Sequence, residues 1–371
     1  MIIGVVKEIK NHEYRVGLTP ENVKVFVRHN HTVLIEFNAG VGAHFLNEEY
    51  EAAGATIVNN AKEVYAKSDM IIKVKEPLKE EYDLLKDGQI LFTYLHLAAN
   101  KELMEILLKK RITAIGYETI EDKEGYLPCL RPMSEIAGRL SIQEGAKYIE
   151  STYGGKGILL GGIPGVERGK ITIIGGGVVG TFAAKAAVGM GAMVTILDNN
   201  LNRLAYLDDI FGGSVTTLYS NEQNVEKALI DADLAIGAVL IPGDQAPKLI
   251  KEDYVKKMKN GAVIVDIAID QGGVSETSHP TTHDDPIFIK HGVVHYCVSN
   301  MPGAVPYTST IALTNVTSGY GLQIADLGIK ELVAKDHGFK KGLNTYKGEC
   351  VNLNVAHALD MDFVDLDCLL K

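Results

Sequence analysis

A histidine, His96, interrupts the apolar run LFTYLHLAAN at residues 91–100. Such a residue reads in two ways: a core histidine whose ring nitrogens have found partners, or a group that moves a proton. Two kinds of cation lie near it in the sequence order of buried segments. Arg15, in EYRVGLTP, follows the first apolar run and precedes a helix start. A guanidinium there can grip a carboxylate through two parallel hydrogen bonds, or lie exposed in a loop. Lys73 and Lys75, in KVKEP, are two apart and so share one face of the strand. Ammonium groups at the exit of a buried strand must reach solvent along their stems or meet an anion. Farther on, VIVDIAIDQGG offers Asp266 and Asp270 at a strand end, with Gly272 and Gly273 permitting a mobile loop. VSNMPGAVP brings Asn300 toward a sheet edge, and SHPTTHDDP gathers His279, His283, Asp284 and Asp285. The proline-broken spacing of that last group suits a polar lid better than a ligand set, so no metal is expected.

The motif with the most specific context is ITIIGGGVVG, in which Gly175, Gly177 and Gly180 form GxGxxG between a strand and a helix. The first glycine permits the tight turn and the second lets a pyrophosphate approach the backbone. The third lets helix and strand pack closely, leaving the helix N-terminus to face the anion. Val178 and Val179 occupy the positions before the last glycine, at that N-terminus. Asp198 ends the following strand, TILD, at the distance from which an acid accepts the ribose 2′-hydroxyl of NAD. It would repel a 2′-phosphate, so NAD is expected rather than NADP, although Arg203 nearby is the kind of residue that accommodates such a phosphate.

These residues need elements to carry them. Ile2–Val6, Thr32–Glu36, Met70–Val74, Gln89–Leu95 and Ile112–Tyr117 read as buried strands, with helices near Pro20–His29, Asn47–Gly54, Ala61–Lys67 and Lys101–Lys110. A second series has strands at Ile171–Ile174, Met193–Leu197, Val215–Leu218, Leu234–Gly237, Val263–Asp266 and Val293–Tyr296, with helices such as Asn224–Ile230 and Asp253–Lys259. Continuous apolar strands alternating with helices imply parallel sheets covered on both faces, and six strands complete a doubly wound dinucleotide domain. From Ile311 to Leu332 the pattern is helical, as it is again after Val351. Ligands gather at the carboxyl ends of such strands, so Arg15, Lys75 and His96 are expected to share one crevice facing the dinucleotide domain.

The composition agrees. Hydrophobic residues make up 46% and charged residues 23%, as in a globular protein with enough apolar sequence for two cores. A net charge of −10 without long charged blocks argues against nucleic acid or an anionic membrane as the main partner. Cys129, Cys297, Cys350 and Cys368 lie far apart and read as reduced thiols. The five-residue apolar run after Met1 is too short for a signal peptide, and a cytoplasmic location is expected. Ile171–Leu197 is long and apolar enough to imitate a membrane span, but its ordered glycines fit the nucleotide turn.

The ordered motifs GVVKEIKNHEYRVGLTP, KVKEP, YLHLAAN, RPMSEIAGRLSIQEGA, GGIPGVERGKITIIGGGVVG, DIAIDQGG, PTTHDDP and NMPGAVP resemble the alanine dehydrogenase family, which is related to the NAD(H)-binding part of proton-translocating transhydrogenases. The resemblance spans essentially the whole chain. It implies an α/β protein of two Rossmann-like doubly wound parallel-sheet domains: a discontinuous catalytic domain (residues 1–128 and 307–371) around an NAD domain (129–306). It also implies a homo-hexamer and the reversible NAD-dependent deamination of L-alanine to pyruvate and ammonium. Matched motif by motif, Arg15 and Lys75 resemble the family's substrate-binding pair, with Asn300 beside them, and His96 and Asp270 its acid/base residues. Ser134, Gly175, Gly177, Val178, Val179, Gly180, Asp198, Arg203, Ser220, Val239, Leu240, Ile267, Asn300 and Met301 resemble its cofactor-contacting set. On this reading the apolar neighbours of His96 fix the imidazole, and the histidine moves the proton. Three rivals differ in what they need, one of them a non-catalytic NAD sensor that keeps the fold. A transhydrogenase component would be expected to continue into a membrane portion, and a dehydrogenase of a bulkier amino acid would need a larger pocket with a partner for a distant charge.

Overall fold

The computed structural model describes residues 1–239 and 245–371. They form two compact units, Met1–Pro132 with Val305–Lys371 (unit 1) and Met133–Ala304 (unit 2).

Unit 1 is built on an eight-stranded sheet. Its strands are β1 (Ile2–Val5), β2 (Thr32–Glu36), β3 (Thr56–Val58), β4 (Met70–Ile72), β5 (Ile90–Thr93), β6 (Thr113–Gly116), β14 (Leu343–Tyr346) and β15 (Glu349–Cys350), in the order β15-β14-β6-β5-β4-β1-β2-β3. The first six are parallel and run 3-2-1-4-5-6, with the order reversing between β1 and β4. Helices alternate with them as the sequence suggests. In Pro20–Arg28, Thr19 caps the start by accepting from the Asn22 N–H at 3.3 Å, the Asn22 side chain returns a bond to the Thr19 N–H at 3.0 Å, and Pro20 takes the first helical position. One core cluster joins Leu91, Leu95, Leu97, Leu103 and Leu107 to Val355 and Leu359 from the chain's far end, so the C-terminal segment closes the unit that the N-terminus begins. Each such buried side chain is worth about 1.5–3 kcal/mol.

Unit 2 has seven strands, β7 (Lys170–Ile174), β8 (Met193–Asp198), β9 (Val215–Tyr219), β10 (Leu234–Gly237), β11 (Val263–Asp266), β12 (Ile287–Lys290) and β13 (Val293–Tyr296), in the order β12-β13-β11-β10-β7-β8-β9. Its six parallel strands repeat the 3-2-1-4-5-6 order, with the reversal between β7 and β10.

The expectation of purely parallel sheets needs amending at one edge of each. β14 and β15 are antiparallel to their neighbours, as is β12. These strands are short and polar (LNTY, EC) or half-exposed (IFIK), so they lack the apolar run that marks a buried parallel strand. The helix expected at Asp253–Lys259 is a single turn, Glu252–Val255, and that from Ile311 to Leu332 extends over Pro306–Lys335 with a break at Gly328, where φ is +72°. The apolar stretch 171–197 is strand, helix and strand, and among the described residues no helix is long and apolar enough to cross a membrane. The four cysteines are free, three of them buried and Cys368 exposed.

Candidate active site

In unit 1 Lys75 and His96 follow the carboxyl ends of β4 and β5, and Arg15 lies in the loop after β1; strand order reverses between β1 and β4, the kind of place where open α/β sheets bind ligands. Arg15 lies in the loop after β1 and is almost fully buried, at 2% exposure. Its Nε and Nη2 already face Glu13, at 2.7 and 2.5 Å, so one edge of the guanidinium is spoken for within the chain. Burial alone would depress this group, but Glu13 outweighs it and holds the guanidinium above its ordinary pKa. The next residue is tied to the long C-terminal helix, the Val16 N–H donating to Thr310 Oγ1 at 3.2 Å.

Lys73 and Lys75 do not share a face. β4 stops at Ile72, so the two-residue period ends before them and they part. Lys73 turns inward, fully buried, to Glu81 at 2.7 Å and Glu8 at 3.2 Å. Desolvation works against its charge, yet Glu8 and Glu81 keep the ammonium above its ordinary pKa. The anion that a lysine at a strand exit needs when it does not reach solvent is here an internal pair of carboxylates. Lys75 is half-buried. The surrounding protein, and then the positive charge of Arg15, push its ammonium below the usual lysine value. A cation so placed gains from a bound anion.

Glu8 links the two lysines. β1 and β4 are paired in register, Val5 against Ile72, so the residues just past each strand also meet. Glu8 Oε1 accepts the Val74 N–H at 2.7 Å and the Lys75 N–H at 3.3 Å, fixing the backbone that carries Lys75. The Thr93 hydroxyl donates to the Lys75 carbonyl from the other side, at 2.9 Å.

His96 is not a core residue. β5 ends at Thr93, and three residues later His96 adopts the left-handed conformation (φ 48°, ψ 36°), which directs Leu95 and Leu97 inward and leaves its own ring exposed. For a residue with a Cβ this costs of order 1 kcal/mol or more. Tyr94 stacks beside the imidazole with centroids 6.0 Å apart. Desolvation by the protein around it, opposed by Glu118 and reinforced by Lys75, holds the imidazole below its ordinary pKa. A neutral imidazole is the form that can take up a proton.

Unit 2 carries the nucleotide motif at its own point of strand reversal. Gly175 takes φ +102° as the chain leaves β7, and a Cβ on Gly180 would stand 1.8 Å from the Gly175 carbonyl oxygen. Gly177, by contrast, has open space where its Cβ would be, as a surface approached by a ligand requires. It caps the helix Val178–Gly189 without a side-chain hydrogen bond, leaving the first N–H groups, those of Val178 and Val179 among them, to an anion. Asp198 ends β8 beside this turn because β7 and β8 pair with Ile174 against Leu197. Its two oxygens accept from the Gly176 and Asn200 N–H groups at 2.7 and 2.8 Å, and each keeps a further lone pair for a hydroxyl. Arg203 bends back into the turn, donating to the Gly176 carbonyl and to Thr181 Oγ1, both at 2.5 Å. Its charge is thus turned toward the glycine loop rather than held out for a 2′-phosphate.

The other expected positions of unit 2 also lie past strand ends. The Ser220 N–H donates to the Asp198 carbonyl at 2.9 Å, and Val239 follows β10 beside Gly175. Ile267 and an exposed Asp270 belong to the short turn Ile267–Gln271 after β11. Asn300, with φ +63°, precedes the turn Met301–Ala304. Ser134 is half-buried in the helix Arg131–Tyr148, and Leu240 falls outside the described residues. In the loop SHPTTHDDP, His279 stacks on Phe288 at 3.8 Å and His283 Nε2 lies 3.4 Å from the Asn300 carbonyl.

The carboxylates that hold the cations and the histidine in place, Glu8, Glu13, Glu81 and Glu118, were not singled out from the sequence. Their signal was present but weak: Glu8 and Glu118 each follow an apolar strand by two or three residues, where a partner strand's end must also stop.

Residues 4–137 match the family model described as alanine dehydrogenase/PNT, N-terminal domain, and residues 141–353 that described as alanine dehydrogenase/PNT, C-terminal domain. The chain is 58% identical to an alanine dehydrogenase of Methanococcus maripaludis and 54% identical to alanine dehydrogenase 2 of Staphylococcus aureus, over the whole of each chain. Among solved structures, one titled L-alanine dehydrogenase superposes with a TM-score of 0.95 at 53% identity, covering 97% of this chain and 99% of that one. A transhydrogenase from Sinorhizobium meliloti shares the fold at a TM-score of 0.83 and 22% identity, covering 95% and 99%. By these matches the chain belongs to the alanine dehydrogenase/PNT family.

Proposed function

We propose that the protein catalyses the reversible NAD-dependent oxidative deamination of L-alanine to pyruvate and ammonium. The observation that carries this beyond family membership is the grouping in unit 1 of a buried arginine, a lysine held below its usual pKa and an exposed histidine with a lowered pKa, all past neighbouring strand ends. Those are the groups that an α-amino or α-keto acid needs: charge for its carboxylate and a base for its proton.

In this reading unit 2 holds the dinucleotide. Gly177 and the N-terminus of Val178–Gly189 receive the pyrophosphate, Asp198 receives the ribose hydroxyls, and Ser134, Ser220, Val239, Ile267, Asn300 and Met301 complete the set. The nicotinamide, when bound, supplies a hydride acceptor for the substrate Cα. Arg15 and Lys75 bind the carboxylate and neighbouring oxygen, with Asn300 as a further substrate contact. Loss of hydride from alanine leaves an iminium, which water attacks while His96 takes up the released proton, with Asp270 as the second acid/base group. The iminium carbon gains the water oxygen, ammonia departs, and pyruvate remains. In reverse, protonated His96 and Lys75 polarise the pyruvate carbonyl for attack by ammonia. A homo-hexamer acting in the cytoplasm, needing no metal, completes the proposal.

Purified protein mixed with NAD and L-alanine should generate NADH, read by its absorbance, and His96→Gln should lower the rate by about 10²–10⁴-fold. Turnover only with bulkier amino acids, NADH–NADP exchange without deamination, or a His96→Gln variant of normal rate would each overturn the reading.

A further inference from the structure

The reading of His96 as the proton carrier leaves open what keeps an exposed, left-handed histidine in one place. The sheet supplies a candidate. β5 and β6 are parallel, with Thr93 opposite Gly116, so the chain two to three residues past β5 runs beside the chain two residues past β6. Glu118 stands at that second position, in the short turn Tyr117–Thr119. Its Oε1 accepts the His96 N–H at 2.7 Å and the Leu95 N–H at 3.0 Å, and its Oε2 lies 3.2 Å from the same Leu95 N–H. A single carboxylate thus gathers the two N–H groups that a left-handed residue turns to one side. Gly116 leaves room here: a Cβ on it would stand 2.9 Å from Asn344 Nδ2 and 3.2 Å from both Glu118 Oε2 and Thr119 Oγ1.

We infer that Glu118 is a positioning residue for the reaction, its carboxylate holding the His96 backbone so that the imidazole keeps the orientation proton transfer requires. This rests on the proposed role of His96. A misplacement of about 1 Å in a reacting group can cost about 10²-fold in rate, so even a modest relaxation of this loop is visible in kcat. Glu118 also acts on the imidazole by charge. The charged groups facing His96 are Glu118 past β6, Lys75 and Glu76 past β4, and Lys10 past β1, the last paired with Glu76 at 2.7 Å. Glu118 favours the protonated ring and Lys75 opposes it, so neutralising Glu118 lowers the pH at which His96 becomes a base.

The test is steady-state deamination of alanine by Glu118→Gln, Glu118→Asp and Gly116→Ala across pH, beside His96→Gln, with thermal melting to show folding. Glu118→Gln should lose about 10- to 100-fold in kcat with little change in the KM for alanine. The acid limb of its kcat/KM profile should move to lower pH. Glu118→Asp, which keeps the charge but shortens the reach, should restore the limb and only part of kcat, and Gly116→Ala should lower kcat in the same direction by less. A Glu118→Gln enzyme with wild-type kcat, or with reduced kcat and an unmoved acid limb, would overturn the inference while leaving His96 catalytic. An active His96→Gln enzyme would overturn the underlying reading instead. If Glu118→Gln does not fold, wild-type kcat in Glu118→Asp, whose carboxylate no longer reaches the His96 and Leu95 N–H groups, would be the contrary result.

Discussion

Replacing Lys73 by methionine would unbalance the charge cluster that fixes the loops of unit 1. The side chain is fully buried and pairs with Glu81 at 2.7 Å and Glu8 at 3.2 Å. Glu81 also accepts the Tyr65 hydroxyl at 2.9 Å, and Glu8 accepts the Val74 N–H at 2.7 Å. Methionine keeps the volume but leaves two buried carboxylates facing one another without a cation. Breaking a buried pair by removing one partner costs about 3–5 kcal/mol. For a unit of this size each kcal/mol moves Tm by about 2–4 °C, so a fall of about 6–20 °C is expected. The loss depends on pH. Desolvation already raises the Glu8 carboxyl above its ordinary pKa, with Lys73 the main opposing charge, so removing Lys73 raises it further. A folded-state pKa above the unfolded one means that the folded state binds the extra proton. The variant therefore recovers stability below the unfolded carboxylate value, about 4.3, and loses it as pH rises through the folded value. Melting followed by circular dichroism between pH 5 and 8 should show the gap from wild type widening with pH. A Tm near wild type, or a gap that does not change with pH, would refute the account.

Two glycines separate binding from stability. Gly180→Ala forces a methyl against the Gly175 carbonyl and should lower the stability of unit 2 by about 1–3 kcal/mol as well as NADH affinity. Gly177→Ala meets open space, so its Tm should be unchanged while NADH binding, followed by fluorescence, weakens; unaltered affinity would show that the turn does not hold pyrophosphate. Asp198→Ala removes one charged acceptor, worth about 1.5–3 kcal/mol, and should cut the preference for NAD over NADP by about 10- to 100-fold in kcat/KM. Because Lys75 lies below its ordinary pKa, inhibition by pyruvate, which does not titrate in this range, should weaken as pH rises through the depressed value. An inhibition constant that stays flat up to the usual lysine value, about 10.4, would contradict a binding role for Lys75.

The sequence by itself determined the elements with strong local signatures. Apolar runs such as Thr32–Glu36 and Val263–Asp266 appear as strands with the expected bounds, and GxGxxG followed by Asp198 sits in the turn and strand end that its spacing implied. Those features are legible because they depend on residues near in sequence: a continuous apolar run, a glycine conformation, a cap. The tertiary structure alone decided which polar residues answer one another. Lys73 and Lys75 are identical in sequence terms, yet one is buried between Glu8 and Glu81 and the other is half-buried beside the charge of Arg15, because β4 ends at Ile72 and the register of β1 against β4 brings Glu8 between them. The exposed ring of His96 is likewise invisible in LFTYLHLAAN, since periodicity cannot report a left-handed residue; it follows from the pairing of β5 with β6, which carries Glu118 to its backbone. The short antiparallel edges β12, β14 and β15 escaped for the same reason, their pairing being settled by neighbours distant in sequence rather than by their own few residues.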